Sequence, residues 1–257
     1  MKKLRWTLLA LAFSIQCHAA SESPELTVYY FERLPFFGTQ NGQPAGLLID
    51  ISKRIFDIAG IHYTFVQMPV RRLFDQLKDP RNACTVGALK TSDRASVYTY
   101  SDDFIYQDMP FMAIINANRR RVISEEPTVR EILQSTLRLG VIEGYAYGEW
   151  LDTNLLKYAP NAQKINIGDD TTKMHRMITN GRFDYMFAVA EEAHYVIDNH
   201  PEYAPMLTTV KIADAPTGNK RYLLCSKGID DVLMQRINSA IAQLKTGGEQ
   251  KQPRKQP

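Results

Sequence analysis

Strand and helix patterns alternate over the early part of the chain, and this order constrains the fold most. Apolar and β-branched runs indicate strands at Leu26–Phe31 and Tyr63–Gln67. A helical apolar periodicity follows each of them, at Leu47–Ala59 and Pro69–Lys78. A third strand opens the stretch Cys84–Arg94. This β-α-β-α-β order predicts an α/β protein with a parallel sheet, whose strand carboxyl ends border a ligand crevice.

The stretch Cys84–Arg94 (CTVGALKTSDR) joins a buried strand to an anion-binding pattern. Thr91 and Ser92 are residue types that cap helix N-termini, and Arg94 adds a planar, permanently charged donor one turn later. We therefore predict a seat for a carboxylate at the end of this strand. Pairing of Arg94 with a surface acid is the alternative.

A second strand–helix alternation begins at Phe111–Ile115 and runs to a helix at Glu191–Asp198. It does not repeat the first at the level of sequence. The chain then continues with a strand at Arg221–Ser226, an amphipathic helix at Ile229–Leu244 and a polar tail from Thr246. The sequence therefore predicts a second α/β unit followed by a closing strand and helix.

The first twenty residues have the pattern of a secretory signal peptide. Lys2, Lys3 and Arg5 precede an apolar segment, Trp6–Ile15, and small residues follow it. Removal of this segment takes three of the 31 basic residues and none of the 28 acidic ones, so the formal charge of the exported chain is zero. This balance gives no indication of nucleic acid or an anionic membrane as partner. We expect a periplasmic protein.

Cys84 and Cys225 are the two cysteines beyond the signal segment. In an exported protein such a pair more often forms a disulfide than two free thiols. The bond would tie the last strand to the third and return the chain to its first unit, which predicts two lobes joined by two crossings. No spacing typical of a metal site is present. The expected divisions are a signal peptide at 1–20, lobe one at 21–104 plus 219–245, lobe two at 105–218 and a disordered tail at 246–257.

Short motifs in a specific order run along nearly all of the exported chain. They are Pro35-Phe36, Gly46-Leu47-Leu48-Ile49-Asp50-Ile51, Thr91-Ser92-Asp93-Arg94, Tyr100-Ser101-Asp102, Leu139-Gly140-Val141 with Glu143-Gly144, and Asn180-Gly181-Arg182-Phe183-Asp184. Their order resembles the periplasmic solute-binding proteins of the polar amino-acid class, family 3, which serve ABC importers. The resemblance implies a two-lobed periplasmic-binding-protein fold of type 2 topology.

The resemblance also implies a ligand site. In that family an arginine at the position of Arg94 grips the ligand's α-carboxylate, aided by the hydroxyl at Thr91 and by amides of a turn in lobe two. The acid that usually receives the ligand's ammonium is replaced here by Val189, and the usual serine or threonine of the turn by Tyr145. Three acids could substitute or could be solvated: Glu32, Glu143 and Glu191.

Aromatic and basic residues supply the other candidates for the cleft. Phe36 and Tyr145 lie on turns and are expected to form walls of the ligand site. Arg71 and Arg72 begin the second helix, where the family often has an aromatic contact. A basic residue there would favour a ligand with more than one anionic or acceptor group.

The leading hypothesis is a monomeric binding protein without cofactor or metal, which traps a small amino-acid-like carboxylate between its lobes for an ABC permease of the inner membrane. One alternative is an enzyme that resembles cyclohexadienyl dehydratases, with Glu32, Glu143 or Glu191 as its acid or base. No nucleophile–histidine–acid arrangement is visible. A sensor module for a membrane receptor is the other alternative.

Overall fold

The computed structural model describes residues 25–167 and 172–247. Its strands are β1 (Glu25–Tyr30), β2 (Gly38–Gln40), β3 (Gln43–Ala45), β4 (His62–Gln67), β5 (Ala83–Leu89), β6 (Tyr98–Tyr100), β7 (Tyr106–Gln107), β8 (Phe111–Asn116), β9 (Gly140–Ile142), β10 (Gln163–Ile165), β11 (Tyr185–Val189), β12 (Leu207–Lys211) and β13 (Lys220–Ser226). Its helices are α1 (Leu47–Ala59), α2 (Val70–Gln76), α3 (Ser92–Val97), α4 (Val129–Leu133), α5 (Glu149–Tyr158), α6 (Lys173–Thr179), α7 (Ala190–Asn199) and α8 (Asp231–Gly247), with a 3-10 helix at Ala117–Val122.

The first sheet has the order β4-β1-β5-β13-β6, with β7 also paired to β13. Strand β1 runs parallel to both β4 and β5, which confirms the parallel arrangement predicted for the first three long strands. Strand β13 joins antiparallel to β5 from the far end of the chain. This sheet and helices α1, α2, α3 and α8 form the first lobe.

The disulfide between Cys84 and Cys225 is present and joins β5 to β13. The two residues are direct partners in the register of these strands, with their Cα atoms 3.9 Å apart. Both side chains are fully buried. The prediction that the last strand returns to the third is confirmed.

Helix α1 has the bounds that its periodicity predicts. Leu48, Ile49 and Ile55 are at most 1 % exposed, and burial of an aliphatic side chain of this size contributes about 1.5–3 kcal/mol. The helix ends at Gly60, whose left-handed backbone (φ 61°) lets its amide bond the carbonyls of the last turn.

The second lobe contains a three-stranded sheet of order β11-β8-β12 and the parallel pair β9 and β10. Strand β8 lies antiparallel between β11 and β12. An isolated bridge from Leu139 to Tyr185 links the parallel pair to β11. Helices α4 to α7 cover this lobe. The second α/β unit is therefore present, although β12 and the direction of β8 were not predicted.

Two chain segments cross between the lobes and lie side by side. The outward crossing follows β7 and the return crossing precedes β13. The amide of Asp108 donates to the carbonyl of Asn219 at 2.9 Å. Beside them, a Cβ at Gly218 would stand 2.2 Å from the carbonyl oxygen of Asp108, so only glycine fits this approach.

The two ends of the chain extend beyond the described residues. The expected signal peptide, residues 1–20, lies outside them, as does the tail from residue 248. Thr246 and Gly247, which were expected in the tail, belong to α8. Across 25–167 and 172–247, no helix combines the length and apolarity that a membrane span requires.

Candidate functional site

A narrow cleft lies between the lobes at the carboxyl end of β5. Its cavity measures about 60 Å³. The second lobe contributes the turn from Gly144 to Ala146, which lines the same cleft as Arg94. The first lobe contributes the last five residues of β5 and the half-buried Val70 and Phe74 of α2. Apolar side chains form most of the wall, among them Phe31, Phe37, Val70, Phe74, Val86 and Leu89.

Arg94 carries a positive charge at this cleft without a carboxylate partner. Thr91 caps α3 by accepting a hydrogen bond from the amide of Arg94 at 3.3 Å, as its residue type predicts. The Arg94 guanidinium lies 4.5 Å from the centre of the Phe74 ring, which favours a fixed orientation for the cation. Among the described residues no acid forms an ion pair with Arg94.

Arg33 bridges the two lobes at one side of the cleft. Its Nε and Nη2 donate to the two carboxylate oxygens of Glu192 on α7, at 2.6 and 3.1 Å. The same guanidinium lies 5.0 Å from the centre of the Tyr145 ring. Burial opposes the charge of Arg33, but the Glu192 carboxylate raises the pKa of Arg33 above its ordinary value. The pair therefore fixes two opposite charges across the interface.

Arg221 lines the cleft from β13 and forms a buried ion pair with Asp108. Its Nε donates to Oδ1 of Asp108 at 2.5 Å, and its Nη1 donates to the carbonyl of Gly87 at 3.0 Å. Burial raises the pKa of Asp108 to about 6, against the opposing effect of Arg221. The second oxygen of Asp108 receives no hydrogen bond from the described residues.

The three acids proposed as substitutes for the ammonium partner lie away from the cleft. Glu191 accepts hydrogen bonds from the Tyr106 hydroxyl at 2.5 Å and from the Met109 amide at 2.8 Å, so it ties the outward crossing to α7. Glu32 accepts from Gln67 at 2.9 Å. Glu143 is exposed.

Two of the other predicted residues take unexpected places. Phe36 is fully buried beneath the cleft, where the Arg221 guanidinium covers its ring at 4.6 Å. Arg71 is exposed on α2 and does not line the cleft. Val70 and Phe74, one helical turn apart, occupy the face of α2 that borders the cleft, and this spacing turns Arg71 towards solvent. Of the predicted ligand residues, Arg94 and Tyr145 line the cleft, and Thr91 caps the helix that carries Arg94.

Four residues at or beside the cleft were not predicted from the sequence: Arg33, Phe74, Glu192 and Arg221. Arg33 follows the carboxyl end of β1, a position that borders the crevice in a parallel sheet, so its location carried a usable signal. Glu192 is 159 residues away from Arg33, and no local pattern indicates their pairing.

A second cavity of about 200 Å³ lies in the second lobe and shares Arg33 and Tyr145 with the cleft. Side chains from β8, β9 and β11 line it, including Phe111, Ile142 and Met186. Arg33 and Tyr145 thus lie between the cleft and this larger cavity, which is mostly apolar but is also lined by Glu192 and His200.

The chain was compared with known protein families and with solved structures. A sequence model of the bacterial extracellular solute-binding proteins, family 3, matches residues 27–256. A comparison with proteins of curated function finds no match.

Solved structures with the same fold include three amino-acid-binding proteins of low sequence identity. The arginine-, lysine-, histidine-binding protein ArtJ from Geobacillus stearothermophilus is 15 % identical, with a TM-score of 0.68 over 88 % of this chain and 91 % of that one. AbpA from Streptococcus pneumoniae, bound to L-arginine, is 17 % identical, with a TM-score of 0.66 over 88 % and 91 %. Holo ArgBP from T. maritima is 21 % identical, with a TM-score of 0.65 over 86 % and 91 %. The chain thus has the two-lobed fold expected for it and belongs to the bacterial extracellular solute-binding proteins of family 3.

Proposed function

We propose that this solute-binding protein holds a small carboxylate-bearing solute between its lobes and delivers it to an ABC importer of the inner membrane. The observation that carries the proposal is Arg94, a cation at the cleft with no acidic partner among the described residues. A guanidinium in this state is a strong and directional site for a carboxylate.

The surrounding residues would hold the carboxylate in one place. The Phe74 ring restricts the Arg94 guanidinium, and the Thr91 hydroxyl lies at the start of the same helix. Tyr145 lines the same cleft from the second lobe, so a solute that extends from Arg94 through the cleft would contact both lobes. Contacts made only when the lobes meet favour the closed state by the difference in affinity between the two states.

We assign binding and not catalysis to the cleft. A dehydratase requires an acid or base next to the reacting atoms. None of Glu32, Glu143 and Glu191 lines the cleft. We further propose a periplasmic location, action as a monomer, and a first lobe that comprises residues 21–104 and 219–245.

The solved relatives suggest where a ligand screen should begin. AbpA and an ancestral arginine-binding protein are described with arginine bound, and the ancestral protein also with glutamine. Amino acids and their carboxylate analogues therefore form the first panel for this chain.

The test is a thermal-shift screen of that panel on three proteins: the wild type, Arg94→Gln, and Arg71→Gln. The control variant also removes one arginine charge from the first lobe but does so on the exposed face of α2. We expect at least one carboxylate to raise the Tm of the wild type and of Arg71→Gln, and to have no effect on Arg94→Gln. An equal shift in all three proteins would contradict the assignment of the site. Turnover of prephenate or arogenate by the wild type would contradict the assignment to binding.

A further inference from the structure

We propose that the solute is a monocarboxylate with an apolar or aromatic body and without an ammonium group. This inference rests on the proposed function, because it takes Arg94 as the carboxylate site. It names the chemical class of the solute from the charges and the walls of the cleft.

The arginines at the cleft can balance one negative charge on a solute. Arg33, Arg94 and Arg221 are the basic residues that line it within the described chain. Arg33 is bound to Glu192 through both carboxylate oxygens, and Arg221 is bound to Asp108. Only Arg94 lacks such a partner. One carboxylate on the solute would balance this site, and a second would have no unpaired cation to meet.

An ammonium group would find no acceptor of opposite charge. None of the described residues that line the cleft is an aspartate or glutamate. Two carbonyls at the end of β5 already accept one hydrogen bond each, Gly87 from Arg221 at 3.0 Å and Leu89 from the Tyr100 hydroxyl at 2.8 Å, and a neutral carbonyl does not balance the charge of an ammonium. A buried cation without a paired anion is strongly disfavoured.

Glu192 is the acid that could move towards a ligand ammonium, and its present bond opposes that movement. It would have to release Arg33, whose side chain is 17 % exposed. The guanidinium would then be left without an anion between Phe36 and Tyr145. If Glu192 moved from Arg33 to a ligand ammonium, one cation would gain a partner and the other would lose it, so the number of charge pairs would not increase.

The walls of the cleft fit an apolar solute body. Phe31 and Phe37 pack edge to face with ring centres 4.7 Å apart on one side. Phe74, whose ring lies against the Arg94 guanidinium, and Tyr145 also line the cleft. Aromatic walls contribute most when they cover an apolar surface, so a hydrocarbon or aromatic group suits this space better than a polar one.

The test compares matched pairs of ligands that differ in the ammonium group. The pairs are 3-phenylpropionate with L-phenylalanine, and 4-methylpentanoate with L-leucine, each measured by calorimetry on the wild type, Arg94→Gln and Glu192→Gln. We expect the wild type to bind the acid without the amino group at least about tenfold more tightly than its partner, which corresponds to about 1.4 kcal/mol. Arg94→Gln should lose this binding. Glu192→Gln should leave the preference within each pair unchanged.

The outcomes separate the inference from the function on which it rests. Equal or tighter binding of the amino acids, lost in Arg94→Gln, would overturn the inference and leave the proposed function standing. A loss of amino-acid binding confined to Glu192→Gln would overturn it too, because Glu192 would then receive the ammonium. Binding that survives in Arg94→Gln, or no binding by any of the four ligands at millimolar concentration, would overturn the inference. Only the survival in Arg94→Gln would also contradict the Arg94 site.

Discussion

Arg33 and Glu192 join the two lobes through two parallel hydrogen bonds of 2.6 and 3.1 Å. Arg33 follows β1 of the first lobe and Glu192 lies in the first turn of α7 in the second. Their bidentate contact is formed beside the cleft, so it stabilises the arrangement in which the lobes meet. The balance between open and closed lobes should therefore depend on this pair.

Removing one partner of this pair should open the protein. A hydrogen bond to a charged group contributes about 1.5–3 kcal/mol, so Arg33→Gln should shift the ligand-free protein towards the open state. Small-angle X-ray scattering should show a larger radius of gyration. Lys78→Gln is the control: it breaks the ion pair with Asp75 at the C-terminal end of α2, which lies within the first lobe. This variant should leave the radius of gyration unchanged. An unchanged radius in Arg33→Gln would show that the pair does not control closure.

Stability should change with pH through Asp108. Burial raises the pKa of Asp108 from 3.8 to about 6 in the folded protein, so the fold binds this proton more tightly than the unfolded chain. The stabilisation from the bound proton is present below the unfolded pKa and is lost as the pH rises through about 6, by up to about 3 kcal/mol.

The comparison with Asp108→Asn isolates this group. Urea unfolding between pH 4 and 7 should show the free energy of unfolding of the wild type falling relative to that of the variant as the pH rises. A difference that is constant, or that grows in favour of the wild type with rising pH, would contradict the raised pKa.

The disulfide should contribute a large part of the stability of the first lobe. It connects residues 141 apart in sequence, and removal of a native disulfide of this kind typically costs about 2–5 kcal/mol. The variant with both Cys84→Ala and Cys225→Ala should unfold at a lower temperature than the oxidised wild type, and a reductant should change the Tm of the wild type alone. Equal melting of the oxidised and reduced wild type would contradict this role.

Phe74 should act on the ligand through Arg94. Phe74→Leu keeps an apolar side chain of similar size but removes the ring that lies against the guanidinium, so carboxylate affinity should fall by about 0.5–2 kcal/mol. Phe74→Tyr keeps the ring and is the matched control. Calorimetry that finds the same affinity in both variants would show that the ring does not orient Arg94.

The sequence predicted those helices and strands that have a clear apolar pattern of their own. The apolar face of α1 and its glycine stop define Leu47–Ala59, and the uniform burial of β5 agrees with its apolar run. The strands β2 and β3 are three residues each and were not predicted. Short, partly exposed strands lack the alternation that marks longer ones.

The candidate site was predicted only where a local motif supports it. Thr91 and Arg94 belong to one continuous stretch, from which the helix cap at Thr91 was correctly predicted. The pairs of Arg33 with Glu192 and of Arg221 with Asp108 depend on how the lobes and crossings meet, which no local pattern encodes. The expected place of Arg71 in the cleft depended on the rotation of α2, which the packing of Leu73 and Leu77 fixes.

The central claim, a solute carboxylate held by Arg94 between the lobes, is tested most directly by a crystal structure. The protein would be crystallised with the carboxylate that raises its Tm most. We predict the carboxylate oxygens at about 2.7–2.9 Å from the Arg94 guanidinium nitrogens, with the solute body between Phe74 and Tyr145. A solute bound elsewhere, or bound in the cleft with its carboxylate directed away from Arg94, would contradict the claim.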